Sequence, residues 1–144
     1  MEYAKSKSII LSEQLLFPRK KVSFPRLKAF LRHKTILITG ATYGIVEATA
    51  RLLATHDVTL ILTARTIEKL EQLQKQLEIK GATVYIFPAD LYDIKQTERL
   101  LEFIRQSGFR IDIFISNAGK SICRPVEDSL DRFHDVTRTM SLNY

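Results

Sequence analysis

Residues with chemistry in them fall into four short clusters. Thr39-Gly40-Ala41-Thr42-Tyr43-Gly44-Ile45-Val46 follows a short apolar run, Thr35 to Thr39, and precedes a segment of helical spacing. A glycine turn at a strand–helix junction lets backbone N–H groups and a helix N-terminus approach a pyrophosphate. Gly40, Thr42, Tyr43, Gly44 and Ile45 are therefore the expected contacts of a dinucleotide's diphosphate. Arg65 lies at the end of a second strand, 21 residues past Gly44, where a dinucleotide domain meets the adenosine ribose. An acid at that point suits a free 2′-hydroxyl and an arginine a 2′-phosphate, so the expected cofactor is NADP. Asp90-Leu91 follows a third strand, where a carboxylate can accept from the adenine amino group. Asn117-Ala118-Gly119 follows a fourth, at the switch of strand order where ligands bind. Two glycines four apart, or an Asn-Ala-Gly turn, are common singly. Their arrival at the carboxyl ends of four successive strands is the specific signal.

The elements that must position these clusters alternate regularly. Strands are expected over residues 35–39, 58–63, 83–87 and 111–115, each short, apolar and β-rich. Helices are expected over 45–55, over 66–80 with Thr66 as cap and Gly81 as stop, over 94–106 before Gly108, and from Val126 or Ser129 towards Asn143. Strands and helices alternating at this length specify an α/β fold with a parallel sheet of right-handed βαβ units.

Length and charge set the boundaries. The 144 residues are 45% hydrophobic and 26% charged, which suits one globular domain and excludes collagen-like, disordered and disulfide-rich classes. Residues 1–34 hold nine Lys or Arg against Glu2 and Glu13, whereas 35–144 hold thirteen against fourteen acids. The basic character thus belongs to an N-terminal extension, residues 1–33, ahead of a domain over 34–144. In the extension, Arg19, Lys20, Lys21, Arg26 and Lys28 interleave with Phe17, Phe24 and Phe30, a pattern that can touch anionic lipid or nucleic acid. The plainer reading is a solvated leader whose Leu27, Phe30 and Leu31 pack on the domain edge. No nucleic-acid partner is expected, and peripheral membrane contact stays open. No apolar run nears the roughly 20 residues of a membrane span, and no cleavage site follows Ile9 to Phe17, so a cytoplasmic location is expected. The single cysteine, Cys123, has no local base, and His33, His56 and His134 lack ligand spacing, so no metal is expected.

From Lys34 to Tyr144 the chain resembles the short-chain dehydrogenase/reductase family, on Thr39-Gly40-x-x-x-Gly44, Ala64-Arg65, Asp90-Leu91, Asn117-Ala118-Gly119 and Leu142-Asn143-Tyr144. The stretch from Asn117 to Arg124, then from Ser129 to Tyr144, looks like bacterial fatty acyl-CoA reductases that use NADPH. The resemblance implies a Rossmann-like sheet in strand order 3-2-1-4 with helices on both faces, and reduction of a carbonyl such as a fatty acyl thioester or fatty aldehyde. It implies that Asn143 supports a water-linked proton relay to the active lysine. It places Asn117, Ala118 and Gly119 along the adenosine ribose and the back of the site.

Three positions depart from the family pattern. Val46 stands where a third glycine is usual, so cofactor affinity should suffer. Ser116 replaces an asparagine before Asn117. Most importantly, the family's substrate-holding serine and its Tyr-x-x-x-Lys pair, in which the lysine lowers the pKa of the proton-donating tyrosine, have no counterpart. Tyr43, Tyr85 and Tyr92 are followed four residues on by Glu47, Ala89 and Gln96; only Tyr3 with Lys7, ahead of the cofactor turn, fits the spacing. The resemblance thus implies an oxidoreductase fragment with little or no activity of its own, marginal in stability and prone to associate through the open edge of its fourth strand. The alternative is a non-catalytic nucleotide-binding or interaction module.

Overall fold

The computed structural model of the chain describes residues 23–119 and 131–143. Four strands, β1 (Lys34–Thr39), β2 (Val58–Ala64), β3 (Thr83–Pro88) and β4 (Ile113–Ile115), form one parallel sheet in the order β3-β2-β1-β4. Side chains alternate across it, so the register decides what each face carries. Ile36, Ile38, Leu60, Leu62 and Val84 share one face and form the main core. Two helices cover that face: α2 (Gly44–Leu53) contributes Val46 and Ala50, and α3 (Ile67–Glu78) contributes Leu70, Leu73 and Leu77. Their spacing of three and four residues keeps the buried positions on one stripe. Each fully buried Leu or Ile contributes about 1.5–3 kcal/mol relative to exposure.

The opposite face carries Leu37, Ile61 and Phe87 and is covered by α4 (Ile94–Gln106), whose Leu100 is buried. Phe103 of α4 meets the Phe87 ring at 5.2 Å, and Phe109 meets Tyr85 at 4.7 Å. The expected α/β architecture, with strand order 3-2-1-4 and helices on both faces, is present. The last described helix is α5 (Phe133–Asn143). No described helix is long and apolar enough to cross a membrane.

Several local expectations change. β4 begins at Ile113 rather than 111, because the Asp112 carboxylate accepts the Thr35 N–H at 3.0 Å and Lys34 Nζ at 3.0 Å, diverting a donor that the ladder would use. Thr66 holds the N-cap position of α3, yet its side chain makes no cap hydrogen bond. The extension contains an eight-residue helix, α1 (Phe24–Leu31), opened by Pro25 in its first turn. Leu31 enters the main core and Leu27 packs against it, whereas Phe30, expected at the domain edge, is 61% exposed. The expected start of the last helix at Val126 or Ser129, and Cys123, lie outside the described residues.

Candidate functional site

All four clusters meet at the carboxyl end of the sheet. Gly40, Thr42, Tyr43, Arg65, Asp90, Leu91, Asn117, Ala118 and Gly119 line a single cleft of about 540 Å³. Thr63, Ala64, Thr66 and Ala89 complete its lining. Ala64 stands in the Ala64-Arg65 motif, whereas Thr63, Thr66 and Ala89 were missed as lining residues because they are small residues of ordinary strand and loop type. Only the register, which sets Thr63 beside Thr39 and Ala64 beside Pro88, brings them to the cleft.

Thr39 ties the end of β1 to the turn that follows β4. Its buried hydroxyl oxygen accepts both the Asn117 N–H and the Ala118 N–H at 3.0 Å, across 78 and 79 residues of sequence. The Asn117-Ala118-Gly119 turn is thereby pressed against the glycine turn. Gly40 has φ +66°, and a Cβ there would stand 3.1 Å from the Ala118 backbone, so geometry and space both require glycine. Gly44, with φ +60°, instead faces open space where α2 begins. Gly44 and Ile45 do not line the cleft; they form the first turn of α2, and Ile45 is exposed. Val46 turns inward and is buried in the core cluster, away from the cleft lining.

Arg65 is exposed on the rim at the end of β2, and its guanidinium makes no ion pair among the described residues. At the end of the neighbouring β3, the Asp90 carboxylate accepts the Tyr92 N–H at 3.1 Å while the Asp90 N–H donates to Gln96 Oε1 at 2.9 Å. The Gln96 amide also donates to Asp93, which caps α4 by accepting the Lys95 N–H. The Gln96 hydrogen bond, followed by the backbone N–H bonds, holds the Asp93 carboxyl below the usual carboxylate range. Asn143 does not line the cleft, but its side chain reaches Gly119, where a Cβ would collide with the Asn143 Oδ1. Ser116 is exposed.

The cleft suits a dinucleotide on three counts. The N-termini of α2 and α3 have no side-chain cap, unlike that of α4, so their N–H groups are available to anions. Gly40 provides close backbone approach. Thr63 Oγ1 is buried in the cleft wall with no hydrogen-bond partner among the described residues, a polar atom that a bound ligand or its water can satisfy. Among the described residues no group of three His, Cys, Asp or Glu gathers as a metal site.

The comparisons agree with this geometry. The family model of the short chain dehydrogenases matches residues 34–144. A fatty acyl-CoA reductase of Acinetobacter baylyi is 42% identical over 123 residues, spanning 83% of this chain and 42% of that protein. A fatty acyl-CoA reductase of Mycobacterium tuberculosis is 37% identical over 134 residues, spanning 93% of this chain and 44% of that protein. The chain thus spans less than half the length of these relatives. Among solved structures, NAD+-bound xylitol dehydrogenase superposes with a TM-score of 0.68 at 27% identity, over 78% of this chain and 43% of that one. The L-sorbose reductase of Gluconobacter frateurii, solved with NADPH and L-sorbose, gives 0.64 at 24% identity over 78% and 47%, a likeness of fold. Sheet order, glycine turn and family match together assign the chain to the short-chain dehydrogenase family of oxidoreductases.

Proposed function

We propose that residues 34–144 bind NADP(H), and that the whole protein to which they correspond reduces a fatty acyl thioester or fatty aldehyde. The observation that carries the cofactor reading is Arg65: an exposed guanidinium without an ion pair among the described residues, on the rim of a cleft that Asp90 also lines. In that pose Gly40 and the start of α2 hold the pyrophosphate, Asp90 and Leu91 meet the adenine, and Asn117 to Gly119 flank the adenosine ribose. Bound NADPH supplies a hydride. This chain's residues bind and orient it, and Asn143 holds a water for proton relay. The substrate reading rests on the two fatty acyl-CoA reductases that the chain resembles.

Titration with NADPH and NADH, followed by nicotinamide fluorescence, tests the cofactor. NADPH should bind more tightly, and Arg65→Leu should remove that preference at a cost of about tenfold in NADPH affinity. Equal affinity for the two nucleotides in the unsubstituted chain refutes the NADP assignment.

One observation favours a second reading alongside the first. Tyr43, Tyr85 and Tyr92 are followed at the fourth place by Glu47, Ala89 and Gln96, not lysine, so residues 34–144 are read as the nucleotide-binding part of the machinery. It should bind NADPH yet leave it unoxidised in the presence of a long-chain acyl-CoA, as absorbance at the reduced nicotinamide band reports. Two further contacts accompany this proposal. Phe24 and Phe30 of α1, both exposed beside Arg26 and Lys28, form a face for anionic membrane in the cytoplasm. β4, at the edge of the sheet with Phe114 58% exposed, offers a surface for self-association.

A further inference from the structure

Lys69 is a cation where helix electrostatics disfavours one. It stands in the first turn of α3, at the positive end of the helix dipole. Three and four residues away along the chain are Thr66, Gln72, Arg65 and Leu73, none of them acidic, so the usual pairing along a helix is absent. It makes no ion pair among the described residues. Its Nζ instead donates to the Tyr43 hydroxyl and lies 3.9 Å from the centre of the Tyr43 ring. Tyr43 belongs to the glycine turn and lines the main cleft. It also lines a smaller cleft of about 260 Å³ between α2 and α3, where Lys69 sits. The lysine arm is thus laid from α3 across to the glycine turn.

Two cations without an ion pair among the described residues, Arg65 and Lys69, then flank a helix N-terminus that Thr66 leaves uncapped. The one acid in this turn is Glu68, so two cations face a single carboxylate, and a bound dianion offsets the positive charge that remains. Arg51, which lines the same smaller cleft, shows the contrast: its guanidinium is engaged by Glu47 and Gln76. We propose that Lys69 is a second determinant of specificity beside Arg65, and that Tyr43 is the positioning residue that delivers it to the rim. The ligand group they recognise is a phosphomonoester dianion on the adenosine ribose. The inference rests on the nucleotide reading above and adds to it the residues that tell phosphorylated from unphosphorylated cofactor.

The test is a titration of the full chain with NADPH and with NADH. Lys69→Met should weaken NADPH binding about tenfold, the scale of a charge-assisted contact at an exposed site, and leave NADH binding unchanged. Lys69→Arg should restore most of the loss. Tyr43→Phe keeps the ring, removes the hydroxyl and should weaken NADPH binding by a smaller factor, about threefold. The salt dependence of NADPH binding should become shallower in Lys69→Met, since one screened charge pair is gone. Melting temperatures recorded for each variant separate folding from binding. An unchanged ratio of NADPH to NADH affinity in Lys69→Met overturns the proposal while leaving the nucleotide reading intact. Failure of the unsubstituted chain to bind either nucleotide overturns the nucleotide reading, and this one with it.

Discussion

Thr39 and Thr63 stand side by side in the sheet with opposite debts. The Thr39 hydroxyl accepts two backbone N–H groups; the Thr63 hydroxyl is buried with no partner among the described residues. Thr39→Val should destabilise the chain by about 2–3 kcal/mol by stranding both donors, whereas Thr63→Val should raise stability by about 1 kcal/mol. Urea denaturation of the two variants measures both signs. A drop on Thr63→Val shows that the hydroxyl is satisfied after all. The glycines divide similarly. Gly40→Ala meets a positive φ and backbone at 3.1 Å, while Gly44→Ala meets the positive φ alone. Left-handed backbone costs an alanine roughly 1–2 kcal/mol, so both should lose that much and Gly40→Ala should lose more. The difference between their unfolding free energies isolates the crowding against Ala118. The glycines, Arg65 and Asp90 are legible in sequence because they fall together at the ends of successive strands, where a dinucleotide would meet them. Thr63 is not, since a threonine in a β-rich run announces nothing until the neighbouring strand is in register.

At the scale of elements, helices read well where they bury a regular stripe and badly where docking makes them. α3 shows Leu70, Leu73 and Leu77 at three- and four-residue spacing, all buried. Leu77→Ala should therefore cost about 2–5 kcal/mol, while Leu52→Ala on α2, 55% exposed, should stay within about 0.5 kcal/mol. Thermal unfolding followed by circular dichroism distinguishes them; equal effects would show that α3 does not bear on the core as described. α1 was not foreseen as a helix, because eight residues with Pro25 and three flanking cations hold too little periodicity. It forms because Leu27 and Leu31 find the core of the domain. β4 was foreseen too long, since the alternation around Ile111 to Ile115 cannot reveal that the Asp112 carboxylate will take the Thr35 N–H.

At the scale of the whole molecule the two ends of the sheet have separate duties. The carboxyl end holds the cleft. The amino end is tied by Asp112, which accepts from Thr35 and Lys34, and by Asp57, which pairs with His33 at 3.0 Å. The Thr35 N–H first, then Lys34, lower the pKa of Asp112 below its ordinary 3.8. A carboxyl whose folded pKa is depressed adds stability above its unfolded value and loses it as pH falls through the folded one. Stability should therefore decline below about pH 4, and Asp112→Asn should flatten that decline, as acid titrations at fixed urea would show. An equally steep decline in the variant would assign it to other carboxylates. The separation also gives a handle for attachment. Ser107 and Gly108 lie in the turn that leads into β4, exposed and at the amino end of the sheet, away from the cleft mouth. With the native thiol removed by Cys123→Ser, a thiol introduced by Ser107→Cys would anchor the chain to a bead or sensor chip with its mouth facing the flowing solution.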